Sequence, residues 1–171
     1  MPVIHKSKGD EYYTPKSAWE DIMPYLPKDK IYHEPFNNVN NPTSLLSKQY
    51  LSELGLTLIE REPYNEETND NNFFDDDGSE WDICISNPPF SQKQKLLKRL
   101  KELDKPFVFI LPTATINTGY FKEMFMDALQ IIIPRRRINF NYYLNLNQAC
   151  CFDCLYICYK MNLSKDLIII N

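Results

Sequence analysis

Glycine is what this chain most lacks: 4 of its 171 residues, about 2% where roughly 7% is ordinary. A glycine-rich phosphate loop therefore looks excluded at first sight. No apolar run approaches the ~18 residues needed to cross a bilayer, so no membrane span is expected. The first ten residues, Met1–Asp10, are polar and lack the apolar stretch of a secretory signal. Only two histidines, His5 and His33, are present, too few for a histidine-based metal site of the usual kind. What is abundant is asparagine, 16 residues, and aromatic side chains, 13% of the chain. With 43% hydrophobic residues, the chain can bury a core, and wholesale disorder is excluded. The length fits one domain, residues 1–171.

The net charge is −4, which excludes a generic basic nucleic-acid coat. The charges are unevenly spread. Glu60 to Glu80 holds nine acids against Arg61 alone. Ser91 to Lys101 holds five bases and no acid, and Arg135, Arg136 and Arg137 form a second basic cluster. Each of these runs reads first as a solvated face. A basic helix beside a base-binding site would also attract a phosphate backbone.

Five cysteines with no export signal point to a reducing, intracellular compartment. Cys151 and Cys154 have a metal-like spacing, but no second ligand pair accompanies them. Cys154, Tyr156 and Cys158 alternate as one face of a strand would, which favours buried core thiols over a metal or redox site.

Short apolar segments alternate with helical spacing. Strands are expected at Lys30–Glu34, Leu56–Glu60, Trp81–Ser86, Pro106–Leu111 and Gln130–Ile133, with a long last strand at Cys151–Met161. Helices are expected at Thr43–Leu54, Ser91–Leu103 and Gly119–Leu129, and a polar loop at Asn65–Asp77. The alternation implies an α/β fold with a mostly parallel sheet and helices on both faces. In such sheets a ligand binds at the carboxyl ends of the strands.

At one of those ends the chain reads Asn87-Pro88-Pro89-Phe90. Asn87 and the Pro88 carbonyl offer two acceptors, the prolines fix the backbone, and Phe90 offers a flat face. This is a cradle for the planar amino group of an aromatic base. The exocyclic nitrogen of adenine is a poor nucleophile because its lone pair is delocalised. Two acceptors drawing on its hydrogens localise that pair for attack on a methyl group held in line. At these residue frequencies the motif arises by chance in about 1% of chains of this size.

The tetrapeptide and its surroundings resemble the amino-group DNA methyltransferases, specifically the small adenine-N6 type of phages and large viruses. The resemblance covers nearly the whole chain. It implies a Rossmann-like S-adenosylmethionine-dependent methyltransferase fold with Asn87, Pro88, Pro89 and Phe90 as catalytic residues. Asp10 to Pro15 resembles the family's Thr-Pro element and would place Tyr13, Thr14 and Pro15 at the cofactor. Glu34-Pro35-Phe36 resembles the start of its first cofactor loop. Asn38 and Asn40 stand where that loop carries glycine, and asparagine is the non-glycine residue most at home in the left-handed region. Glu60 matches the acid that takes the ribose hydroxyls, and Asn72 with Phe73 lies where the cofactor's adenine is held. Arg137 to Phe140 resembles a late Arg-x-x-Phe element.

The resemblance implies methyl transfer to adenine N6 in DNA, with S-adenosylmethionine as cofactor and no metal. Lys93, Lys95, Lys98, Arg135, Arg136 and Arg137 would hold the nucleic acid, DNA or RNA, with the target base flipped into the pocket. No separate target-recognition domain fits in this length, so loops such as 113–120 and 139–147 or a partner chain would read sequence, and homo- or hetero-oligomers stay open. Two other functions share the same residues. One is an inactive methyltransferase-like protein that binds nucleic acid or serves as a structural subunit. The other is methylation of a protein glutamine amide, a second planar amide suited to the same cradle.

Overall fold

The computed structural model describes residues 12–36, 45–62, 64–65, 67–142 and 152–171. Their elements in chain order are β1 (Tyr12–Tyr13), α1 (Lys16–Ile22), β2 (Ile31–His33), α2 (Leu45–Glu53), β3 (Thr57–Leu58), β4 (Ile83–Ser86), α3 (Lys93–Leu103), β5 (Phe107–Pro112), α4 (Gly119–Phe125), β6 (Leu129–Ile133), β7 (Asn141–Tyr142), β8 (Cys154–Tyr159) and β9 (Leu167–Ile169). Seven strands form one sheet in the order β3-β2-β4-β5-β8-β6-β9. All its neighbours pair in parallel except β8, which runs against both β5 and β6. β1 and β7 make a separate antiparallel pair, with Tyr13 opposite Asn141.

The strands separate their side chains onto two faces, as a period of two requires. On β5, Val108 and Ile110 join Trp19 and Ile22 of α1 and Leu51 of α2. Phe107, Phe109 and Leu111 join Leu96, Leu97 and Leu100 of α3 and Phe121 and Phe125 of α4. Each such side chain, fully buried, contributes ~1.5–3 kcal/mol. Cys154, Tyr156 and Cys158 share the first face, as their alternation predicts. Burial pushes the Cys158 thiol up to about 12.

Expected strands and helices are present with shifted ends, and three readings need correction. The expected last strand over Cys151–Met161 begins at Cys154, ends at Tyr159 and is not the last. Lys160 and Asn162 turn the chain with positive φ, and β9 then adds a parallel edge strand beside β6. The amide of Gln130 fastens this turn, bonding the Leu163 and Lys165 carbonyls and the Leu163 N–H. The helix expected over Gly119–Leu129 stops at Phe125, because Leu129 enters the sheet opposite Tyr159. Helix α1, not expected from sequence, buries Ala18, Trp19 and Ile22.

Among the described residues, no α-helix joins β3 to β4. The acidic segment between them is folded around Asp76 instead, after a single 3-10 turn at Phe73–Asp75. The buried Asp76 carboxylate accepts from Arg61 Nη1 at 2.6 Å, Gly78 N at 2.7 Å and Trp81 Nε1 at 3.2 Å. Gly78 has φ +74°, where any other side chain would be strained, and a Cβ there would press on the Lys105 side chain at 3.0 Å. Arg99 of α3 donates to the Asp76 carbonyl at 2.7 Å, and Arg61 also pairs with Glu80. Among the described residues, no helix is long and apolar enough to cross a membrane.

Candidate functional site at the carboxyl ends of the strands

The chain leaves β2 toward β3 on one side of the sheet and returns to β4 on the other. Adjacent strands whose connections diverge open a crevice at their carboxyl ends. Glu34 stands at the end of β2, and Ser86-Asn87-Pro88-Pro89-Phe90 continues β4 at the same edge. The sheet thus brings together two elements that lie 52 residues apart.

Across this gap Ser86 Oγ donates to Glu34 Oε1 at 2.7 Å. The Phe36 N–H donates to the same oxygen at 3.1 Å. Burial raises the Glu34 carboxyl to about 8, against the opposing pull of these two donors and the Lys48 charge. At neutral pH it is therefore mostly protonated. His33, one residue earlier, is also buried, and burial lowers its imidazole to about 4. Its Nδ1 lies 3.3 Å from Asp76 Oδ2 without the alignment of a hydrogen bond. Burial alone would raise the Asp76 carboxyl, but the Gly78 N–H and the Arg61 guanidinium hold it below the usual carboxylate range.

A narrow cleft of about 20 Å³ opens between β2 and β3, lined by Glu34, Lys48, Ile59, Arg61, Glu62 and Tyr64 among others. That is room for about one water molecule. Glu60 is exposed and does not line it, whereas its neighbours Ile59, Arg61 and Glu62 do. Phe73 is buried, with its ring 5.7 Å from Phe36 and 6.1 Å from His33. Asn72 caps the 3-10 turn by accepting from the Phe74 N–H at 3.0 Å. Asn72 also lines a larger, open acidic hollow of about 340 Å³ with Arg61, Asp75, Asp76 and Asp77. Asn38 and Asn40 lie outside the described residues.

Thr14 and Pro15 follow β1, whose pairing with β7 sets them beside the segment that follows Phe140. Thr14 is buried, and its Oγ1 has no hydrogen-bond partner among the described residues. A buried hydroxyl in that state is a ready donor for a bound ligand. Ile138 and Phe140 of the Arg-x-x-Phe element are buried, and Arg137 Nε pairs with Asp153 at 2.8 Å. Arg135 lies 4.0 Å from Asp21, and Arg136 is exposed.

The two prolines hold Asn87 and Phe90 at fixed backbone angles; Pro89 has φ −62° and ψ 119°. Phe90 begins the 3-10 turn that leads into α3. Lys95 and Lys98 are exposed on α3 and Lys93 is half-buried, while Lys95 Nζ stands 4.0 Å over the Phe74 ring. Because α3 leaves from the carboxyl edge, Lys93 and Lys95 are nearest to the tetrapeptide, and Lys98 lies ~4.5 Å further along the axis than Lys95. The basic helix and Arg135–Arg137, which follow β6, therefore both start from the edge that carries Asn87.

Sequence reasoning missed Ser86, His33, Arg61, Asp76, Phe152 and Asp153. Ser86 had a signal, being the one polar residue closing a buried apolar strand. Asp76 had none, as one acid among nine.

The sheet order, with a single antiparallel strand among parallel ones and helices on both faces, is the Rossmann-like α/β arrangement expected from the sequence. No protein-family profile matches the sequence, and no curated protein does. Among solved structures, the chain is similar to precorrin-6y C5,15-methyltransferase from Geobacter metallireducens GS-15. The identity is 14% and the TM-score 0.39, over 94% of this chain and 100% of that one. A likeness this distant assigns no role to individual residues.

Proposed function

We propose that this protein transfers a methyl group from S-adenosylmethionine to the N6 amino group of adenine in DNA. One observation carries the reading. Asn87-Pro88-Pro89-Phe90 continues the central strand β4 past the carboxyl edge of the sheet, next to β2, at whose end Glu34 is buried. That edge is where an open parallel sheet holds its ligand.

The cofactor supplies an electrophilic methyl group on a sulfonium. The residues present suit such a group. Glu34, at the end of β2, would stand beside the methionine and nucleoside portions, and the narrow cleft next to it would have to widen to admit them. The buried Thr14 hydroxyl has hydrogen-bonding capacity to give. Asn87 and the Pro88 carbonyl would accept from the two hydrogens of the adenine amine and draw its nitrogen toward tetrahedral geometry. Phe90 would stack on the base. Methyl transfer would leave N6 positively charged, and the loss of one of its N–H protons to solvent water would restore neutrality, while the Asn87 carbonyl only accepts a hydrogen bond. Lys93, Lys95 and Lys98, with Arg135 to Arg137, would neutralise phosphates around a flipped base.

The test is transfer of labelled methyl from S-adenosylmethionine to adenine-containing DNA, with RNA and a glutamine-containing protein as competing acceptors. Label in N6-methyladenine, lost in Asn87→Ala, is the expected result. Transfer to protein alone, or equal transfer by Asn87→Ala, overturns the reading.

A further inference from the structure

Strand β8 runs against its neighbours, so its first residues, not its last, reach the carboxyl edge. Just before it stand Phe152 and Asp153. The Phe152 ring lies 5.1 Å from Phe90 at 77°, an edge-to-face contact, and 6.4 Å from Phe140. The Asp153 carboxylate takes Arg137 Nε at 2.8 Å. Its carbonyl accepts from the Thr113 N–H at 2.9 Å and the Thr113 hydroxyl at 3.1 Å. Three separate segments thus converge on two successive residues: the turn after β4, the loop after β5 and the Arg137–Phe140 element.

We infer that Phe152 is a positioning residue that fixes the plane of Phe90, and that Asp153 ties this setting to the segments around Thr113 and Arg137. This rests on the proposed function, in which the Phe90 ring carries the target base. The two prolines restrain the backbone before Phe90 and do not set its side-chain torsions, which depend on packing. Phe90 lies half-buried against both core layers, and Phe152 meets its ring edge-to-face. A stacked base needs one ring plane, and small errors in placing reacting groups cost rate. An edge-to-face neighbour adds a directional preference that an aliphatic side chain lacks. Because Arg137 reaches this corner through Asp153, contacts made on the outer basic surface act on the ring that receives the base.

The full-length chain is compared with Phe152→Leu, Phe152→Tyr and Asp153→Asn. With DNA as acceptor, Phe152→Leu should lower kcat by about threefold to tenfold, the scale of an aromatic pair. The KM for S-adenosylmethionine should stay unchanged, and Phe152→Tyr should restore kcat. Asp153→Asn should give a smaller fall in the same direction. An unchanged kcat in Phe152→Leu, a loss confined to cofactor KM, or a loss that tyrosine does not rescue overturns the assignment; an unchanged Asp153→Asn overturns the coupling. A second readout needs no turnover. NOE-derived side-chain torsions of Phe90 should show one rotamer in the wild type and in Phe152→Tyr, and rotamer averaging in Phe152→Leu. A single unchanged rotamer in Phe152→Leu sinks the inference even if the enzyme is active. If the wild-type chain methylates no nucleic acid, the functional reading fails and the Phe90 torsions alone decide the positioning role.

Discussion

Ser86 and Glu34, on adjacent parallel strands, meet at 2.7 Å where the sheet opens its crevice. The hydroxyl satisfies a carboxyl oxygen that water does not reach. Replacing Ser86 by alanine leaves Glu34 one donor short in a buried setting. The expected cost is ~1–3 kcal/mol of folding free energy, read by urea denaturation at pH 7. A change under a few tenths of a kcal/mol would show the bond to be dispensable.

The pH dependence of stability follows from Glu34 and His33 together. Glu34 goes from 4.5 unfolded to about 8 folded, and His33 from 6.5 to about 4. Between pH 4.5 and 6.5 the folded protein keeps the Glu34 proton and the unfolded chain keeps the His33 proton, so the two slopes cancel. Between 6.5 and 8 only the folded state still binds its proton, and stability falls with rising pH by about 2 kcal/mol. Below 4.5 the unfolded chain holds both protons and the folded state one, so stability falls on acidification. Asp76, held below its usual range, continues that loss. Urea midpoints from pH 4 to 9 should show a plateau between 4.5 and 6.5, and Glu34→Gln should abolish the alkaline decline. A wild-type curve flat from 6.5 to 8 contradicts the assignment.

Asp76 holds the β3–β4 connection through Arg61, Gly78 and Trp81. Asp76→Ala leaves the partly buried Arg61 guanidinium with Glu80 alone and the Trp81 indole N–H without its acceptor. The expected loss is ~3–5 kcal/mol. Proteolysis under native conditions should first cut within 61–80. Cleavage elsewhere, with that segment intact, would mean the carboxylate is not its anchor.

The lysines of α3 make a prediction about salt. If Lys93, Lys95 and Lys98 meet phosphates, changing all three to glutamine should reduce the slope of log K against log salt by about 2.7, taking ~0.9 per phosphate on duplex DNA. Because Lys98 lies further from the edge, Lys98→Gln alone should contribute least. Fluorescence anisotropy at several salt concentrations reads both, and an unchanged slope removes the helix from the interface.

The layered sheet was legible because its strands are short apolar runs closed by proline or glycine. Val108 to Leu111 and Ile83 to Ile85 can bury both faces and do so. The direction of β8 was not legible, since an antiparallel strand buried on both faces carries the same alternation of Cys154, Tyr156 and Cys158 as a parallel one. β9 escaped notice because its three residues follow a polar turn that Gln130 fixes from another strand. At the site, the tetrapeptide's place after β4 followed from local pattern. The Glu34–Ser86 bond and the Phe90–Phe152 contact depend on which strands become neighbours, and no local pattern encodes that.

The pairing of Tyr13 with Asn141 has a consequence for synthesis. The Thr14 segment waits, once made, for a partner made some 128 residues later. At ~5–20 residues per second that interval is roughly 6–25 s. The parallel strands β2, β4 and β5 can assemble during it, but β5 keeps a bare edge until β8 emerges. The carboxyl edge is therefore completed by late-made segments after its centre already exists, and a ribosome stalled short of residue 154 would leave an apolar sheet edge open to a neighbouring nascent chain.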